Sequence, residues 1–131
     1  PFKVRCVAYP EIIGEGPSYI VAAIPADCVG THLGDSEWFS EVTAFMDSEN
    51  PFVNPAPQYG DMVFTAADGS QLIGDFVGEN VLNEVGGFDF WGTYQIVEGT
   101  GRFSGAAGSG IYYGGGGDSA ALRFEGQLIN P

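Results

Sequence analysis

Gly99-Thr100-Gly101-Arg102-Phe103-Ser104-Gly105-Ala106-Ala107-Gly108-Ser109-Gly110 places five glycines in twelve residues and sets one cation and one aromatic ring among them. A flexible linker has no use for Arg102 or Phe103. A tight turn running into close-packed strands does, because glycine adopts backbone angles closed to other residues and lets neighbouring chains approach. The stretch predicts short strands around a glycine-rich corner, over Arg102 to Ser104 and Gly110 to Tyr113, with a loop over Gly114 to Gly117.

The same logic extends outward. Leu72-x-Gly74-x-Phe76, Phe90-x-Gly92-x-Tyr94 and Phe124-x-Gly126-x-Leu128 each set a glycine in phase with large apolar residues. Side chains alternate across a strand, so each glycine faces the same side as its aromatic neighbours. A glycine on the inner face lets a strand bend or gives its space to a bulky neighbour, which is what a closed barrel needs. Asp68-Gly69 is a hairpin turn between Met62 to Ala67 and Gln71 to Val77. Phe88 to Val97 and Ala120 to Ile129 read as further strands.

The first half reads less regularly. Phe2 to Tyr9 is a strand, broken by Pro10 and the Gly14-Glu15-Gly16-Pro17 cluster. Ser18 to Ile24 is a second, ended by Pro25, with Pro25-Ala26-Asp27 as a turn. Thr31 to Gly34 begins the next and Glu37 to Phe45 continues it, although the spacing of Trp38, Phe39, Val42 and Phe45 also suits a short helix. Asp47 to Tyr59, with Pro51, Pro55 and Pro57, is a loop long enough to form a rim or lid. Seven to nine strands result, and about eight close a barrel whose interior holds side chains or one small ligand. The fold expected is a single all-β domain over 1–131, an antiparallel β-barrel of about eight strands.

Composition agrees. The 131 residues suit one domain, and 21 glycines disfavour long helices, where each costs roughly 1 kcal/mol against alanine. A content of 44 % hydrophobic and 14 % aromatic residues excludes a disordered chain. Lys3, Arg5, Arg102 and Arg123 are the only Lys and Arg residues in a net charge of −13. Nucleic acid as a partner is excluded on this count, because phosphate contacts need clustered cations, and anionic membranes repel such a surface. No secretory signal pattern and no apolar run of transmembrane length occurs. Cys6 and Cys28 could be bonded to each other or stand as two buried thiols.

The segment from Gly99 to Gly108 resembles the glycine-rich stretch, Gly-Thr-Gly-Arg-Phe, of dirigent proteins and of small bacterial β-barrels related to allene oxide cyclase. Thr31-His32-Leu33-Gly34, followed by the hairpin from Asp61 to Gly78, is similar to the same bacterial proteins. The resemblance covers the second half well and the first half poorly. It implies a calycin-like barrel and a choice of roles: cyclisation, guidance of radical coupling, or holding a small molecule. The catalytic carboxylate, asparagine and proline of the cyclases have no matching positions here, so none is carried over.

Several chemistries are excluded by spacing. The glycine run is no dinucleotide or P-loop motif, since strand follows it and no lysine sits in it, so no cofactor is expected. His32 is the only histidine and no nucleophile elbow accompanies Cys6 or Cys28. One histidine and two distant cysteines do not make a zinc site, and no EF-hand spacing occurs, so no metal is expected.

In the strand from 88 to 97, either Phe88, Phe90, Tyr94 and Ile96 or Asp89, Trp91, Thr93 and Gln95 face inward. The glycine phase favours the first set and a dry interior. Asp75 is expected on the outer face. Arg102 suits an ion pair at a barrel corner or an anionic ligand, and Arg123 stands beside Glu125. The expected binding residues are His32, Trp38, Trp91, Tyr94, Arg102 and Tyr112, and a cavity at the end near His32, Trp38, Trp91 and Tyr94 would favour binding over a filled barrel. Three roles stay open: a module binding a small apolar or aromatic molecule at the mouth, a cyclase or coupling-guiding enzyme, and a filled barrel that acts through its surface as a homo-oligomer.

Overall fold

The computed structural model describes residues 1–47 and 49–130. Nine antiparallel strands follow in chain order: β1 Phe2–Ala8, β2 Glu11–Gly16, β3 Tyr19–Gly30, β4 Gly34–Phe45, β5 Ala56–Ala66, β6 Gln71–Leu82, β7 Phe88–Gly99, β8 Ala107–Gly116 and β9 Ala120–Ile129. One 3-10 turn, Gly101–Phe103, stands between β7 and β8, and no α-helix occurs among the described residues. The sheet order is β1-β9-β8-β7-β6-β5-β4-β3-β2, and pairing of β1 with β3 closes it. The result is an eight-stranded barrel with β2 as an additional strand.

Strand tilt can be read from the pairing register. Partners traced from Ala8 through β3, β4 and β5 reach Leu72 on β6. Traced the other way, through β9, β8 and β7, they reach Leu82, ten residues further along the same strand. Such a stagger is what tilts the strands of a closed barrel and sets its width.

The interior is filled by aromatic rings seated over glycines. Phe64 packs edge-on to Phe124 at 4.9 Å, Phe76 to Tyr112 at 5.1 Å and Tyr94 to Phe124 at 5.4 Å between ring centroids. A Cβ on Gly92 would come within 2.8 Å of the Tyr112 ring, and one on Gly126 within 2.7 Å of the Tyr94 hydroxyl oxygen. The glycines in phase with the aromatics therefore supply the floor on which the rings lie, as the repeated pattern predicts. Phe88, Phe90, Tyr94 and Ile96 turn toward the core, whereas Asp89, Trp91, Thr93 and Gln95 are exposed on the outer wall. Asp75 is likewise on the outside, where it accepts a 3.0 Å hydrogen bond from Gln95.

Several expected boundaries are corrected. Glu11–Gly16 is a strand and not a break. Pro25 does not end a strand, and Pro25-Ala26-Asp27 is not a turn: β3 runs through all three. A residue's amide nitrogen and carbonyl oxygen point to the same neighbouring strand in an antiparallel sheet. Pro25 takes the Tyr9 amide on its carbonyl at 2.9 Å, at the gap between β1 and β2. The missing proline N–H thus falls where no ladder partner is waiting.

Thr31–Leu33 is a turn, and β4 is extended from Gly34 through Phe45, with Trp38, Ser40, Val42 and Ala44 buried in alternation. Pairing on both sides of β4 removes the helical alternative. The proline-rich loop ends earlier than expected, since Ala56 to Tyr59 already belong to β5. Arg102 sits in the 3-10 turn and not in a strand, and Gly114 to Gly116 belong to β8 and not to a loop.

Cys6 and Cys28 are register partners on β1 and β3 and form a disulfide. The bond ties the seam at which the barrel closes.

Candidate functional site

The two ends of the barrel differ. One end gathers the turns after β3 and β5 and the 3-10 turn after β7. Phe2, Leu33, Phe103 and Ala106 are buried there and plug it. Arg102 holds the plug's rim together. Its Nε donates to Asp68 at 3.0 Å, its Nη1 to the His32 carbonyl oxygen at 2.8 Å, and its guanidinium lies 4.2 Å from the Phe103 ring centre. Its backbone N–H donates to the Ser70 hydroxyl at 3.1 Å. The Asp68 carboxyl is held below its ordinary 3.8, first by the Ser70 backbone amide and then by the Ser70 side chain and Arg102. His32 occupies left-handed backbone at φ 65° with its side chain exposed. His32 and Arg102 therefore serve a closed corner.

The other end is open. It carries the loops after β4, β6 and β8 and lies beside Pro10, where the chain passes from β1 to β2. A cavity of about 50 Å³ enters the barrel here, lined by Pro10, Ile24, Trp38, Val42, Gln58, Phe76, Phe90, Tyr112 and Phe124 together with Ala8, Ala120 and Leu122. Almost all of this lining is apolar. Gln58, Tyr112 and Trp38 are the lining residues with polar side-chain groups, and almost none of that polar surface faces the cavity.

Gln58 donates to the Tyr112 hydroxyl at 2.9 Å across the barrel. Burial pushes the Tyr112 hydroxyl up to about 12, the Gln58 bond opposing it weakly, so the group is a neutral phenol at physiological pH. The Trp38 indole N–H is buried with no hydrogen-bond partner. A buried donor without a partner costs about 1–3 kcal/mol, and this one has no accessible surface, so an acceptor reaches it only when a neighbouring side chain moves.

The surroundings hold the mouth in shape. Asn80 is buried behind it and donates to the carbonyls of Phe45 and Ala56, each at 3.2 Å. The loop after β4 is fastened to β6 through the Leu82 amide, which donates to the Pro51 carbonyl at 3.0 Å.

Of the six expected binding residues, Trp38 and Tyr112 meet in this cavity. Tyr94 is buried deeper, its hydroxyl unpartnered and its ionisation pushed up to about 12 by burial. Trp91 stands on the outer wall, 39 % exposed. His32 and Arg102 lie at the opposite end. His32, Trp38, Trp91 and Tyr94 therefore do not share one end of the barrel. Alternation places side chains inside or outside, but it does not say at which height along a tilted strand they sit.

Phe76, Phe90, Phe124 and Gln58 line the cavity and were not expected as site residues. The first three belong to the Phe-and-Gly pattern that marks inward faces. Gln58 is in phase with Gly60, Met62 and Phe64, a signal hidden by the adjoining prolines.

No family model, no curated protein and no solved structure matches this chain.

Proposed function

We propose that this protein binds a small apolar or aromatic molecule at the open mouth of the barrel, between Trp38, Phe76, Phe90 and Tyr112. The observation that carries the reading is the apolar cavity bordered by Trp38, whose buried indole N–H has no hydrogen-bond partner. Apolar walls with a few fixed polar groups are the usual make-up of a ligand site. At about 50 Å³ the cavity is well below the roughly 150 Å³ that accommodates one benzene ring. A ring or short acyl chain therefore enters end-on and displaces Ile24 or Phe90, which are only partly buried at the rim. An acceptor atom on the ligand meets the Trp38 N–H.

The reading includes kinship with the small bacterial barrels and dirigent proteins, on the strength of the segment from Gly99 to Gly108 and the eight-strand closure. A cyclase or coupling-guiding enzyme is the weaker alternative, because the described lining contains no carboxylate and its one phenol is held protonated. A protein that acts through its outer wall is the other alternative, favoured by the packed interior below the cavity.

A Trp91→Phe variant leaves Trp38 as the sole indole. Titration of this variant with phenol and with toluene, read by Trp38 fluorescence and by thermal stability, tests the site. Saturable emission changes with a rise in Tm are expected, larger for phenol, and Gln58→Leu lowers the preference for phenol. Linear, non-saturating responses up to the solubility limit, in this variant and in one widened by Phe90→Ala, would overturn the reading.

A further inference from the structure

Two opposite outer walls of the barrel carry rows of like charge at the same spacing. On the wall formed by β1 and β9, Arg5 and Arg123 are direct register partners. The same row continues through Tyr113 on β8 and Trp91 on β7, both partly exposed. Three of the four Lys and Arg residues, Lys3, Arg5 and Arg123, lie on these two strands. Among the described residues the only ion pair is Arg102 with Asp68, so neither arginine is in direct contact with a carboxylate, although Asp27, Asp35 and Glu37 border the same concavity and Glu125 on β9 accepts a hydrogen bond from the Tyr113 hydroxyl. Like charges directly opposed on a sheet are unfavourable, and here the pair stands in a chain that has few cations to spend.

The wall formed by β5 and β6 lies diametrically across the closed sheet order, four strands away in either direction. There Asp61 and Asp75 are direct register partners, and Glu41 on β4 extends their row. Apolar side chains border this row on both sides, Tyr59 and Val77 along one edge and Phe39 and Val63 along the other. Both rows run in the hydrogen-bonding direction of a β-sheet, so both repeat at roughly 4.8 Å from strand to strand. Arg5 and Arg123 can therefore each meet a carboxylate when one wall is laid on the other. Tyr113 and Trp91 supply the aromatic contacts that, with arginine, dominate protein interfaces.

We propose that the occupant of each wall is a second copy of this chain, docked head to tail with the Arg5–Arg123 row of one molecule on the Asp61–Asp75 row of the next. Two different patches meet in such a contact, and because they lie on opposite sides of the barrel the association propagates as an open chain instead of closing as a dimer. The local pairing acts against the overall charge of −13, so association is strongest where salt screens the distant charges without breaking the contacts.

The test is sedimentation velocity of the full chain over a wide concentration range. Variant one carries Arg5→Asp and Arg123→Asp. Variant two carries Asp61→Arg and Asp75→Arg. All four sites are on the outer wall, and circular dichroism confirms folding. The wild type is expected to form a concentration-dependent ladder of species, and each variant alone to associate roughly tenfold or more weakly. An equimolar mixture of the two variants is expected to regain association. Each variant shifts the charge by four units, which leaves both net negative from −13, so overall attraction cannot drive the mixture. A wild type that stays monomeric at millimolar concentration, wild-type association that both variants retain, or a mixture that stays monomeric would each overturn the proposal.

Discussion

The two ends of this barrel are built from the same alternating strands, yet one is sealed and the other is not. At the sealed end the rim is tied by hydrogen bonds: Arg102 has Asp68 and the His32 carbonyl, and the Ser70 hydroxyl takes the Arg102 amide, while the buried Ser36 and Tyr94 hydroxyls on this side have no partner. Phe103 fills the bottom with no exposure at all. At the open end the Trp38 N–H has no partner, a cavity remains, and the chain departs from the barrel at Pro10 to form β2. The contrast teaches where to look for function. Unpartnered buried polar groups occur toward both ends, so packing and not hydrogen bonding separates them: a filled corner is a stability element, whereas an apolar void leaves room for a guest.

The sharpest way to break the contrast is to empty the sealed end. Phe103→Ala is expected to cost about 3–5 kcal/mol, the ordinary price of removing a buried aromatic side chain, measured by denaturant unfolding. Ligand response at the mouth should persist in the fraction that stays folded. If phenol binding at Trp38 disappears while the protein is folded, the two ends are coupled and the division drawn here is wrong.

Next in size is the seam. Replacing Cys6 and Cys28 together by alanine is expected to cost about 3 kcal/mol, because the closed loop between positions 22 apart no longer restrains the unfolded chain. A lowered unfolding midpoint with an unchanged near-ultraviolet spectrum in the folded state is the expected signature. Unchanged stability of the double variant would mean that strand pairing alone holds the seam.

Alkaline titration separates interior from corner without mutation. Tyr94 and Tyr112 are both pushed up to about 12 by burial. Their folded values lie above the unfolded value of 10.0, so the stability they contribute is fully present below pH 10 and is lost as pH rises toward 12. Phenolate absorbance should show a late fraction that appears together with unfolding. Tyr113 is also raised, by its hydrogen bond to Glu125, so Tyr112→Phe should lower the late fraction without abolishing it. A late fraction that persists in full would remove Tyr112 from the interior.

The smallest effect belongs to the corner's exposed ion pair. Asp68 is held below 3.8, so its contribution is present above that value and is lost on acidification through the lowered one. Arg102→Gln should lower Tm slightly, and salt should narrow the difference from wild type, as expected for a solvent-exposed pair. A large loss would show that Arg102 holds the plug through its contact with the Phe103 ring as well as through charge.

Much of this arrangement is legible before any coordinates. The Leu72, Phe90 and Phe124 strands each display a glycine and aromatic in phase; tyrosine side chains lie over Gly92 and Gly126, while Gly74 meets the β7 backbone at Gln95. Phe88, Phe90, Tyr94 and Ile96 are inside for the reason their phase predicts. Pro25 misled because a proline normally ends a strand. It is harmless at the one point along β3 where β1 has stopped pairing and β2 has not begun. That gap is a property of three strands together, and nothing in the local sequence announces it.

The site shows the same division. Trp38 and Tyr112 were recognisable as residues for a mouth, and they share one. His32 and Arg102 were equally distinctive, since each is rare in this chain, but rarity reflects a demanding role without saying which. Their role is to tie a corner. Trp91 belongs to the alternative set with Asp89, Thr93 and Gln95, and it lies outside because Phe90 and Gly92 claim the inner face.

The sequence by itself determined an all-β barrel, the inward and outward faces of its second half, and the scarcity of cations. Those follow from periodicity, glycine placement and charge count, which are local or additive quantities. Only the tertiary structure decided which end is sealed, that Cys6 and Cys28 are joined, that Gln58 meets Tyr112 across the barrel, and that an arginine row and a carboxylate row stand on opposite walls. Each of those depends on the ten-residue stagger with which the sheet closes. The stagger is a cooperative result of all eight strands finding partners at once, and no single strand encodes it.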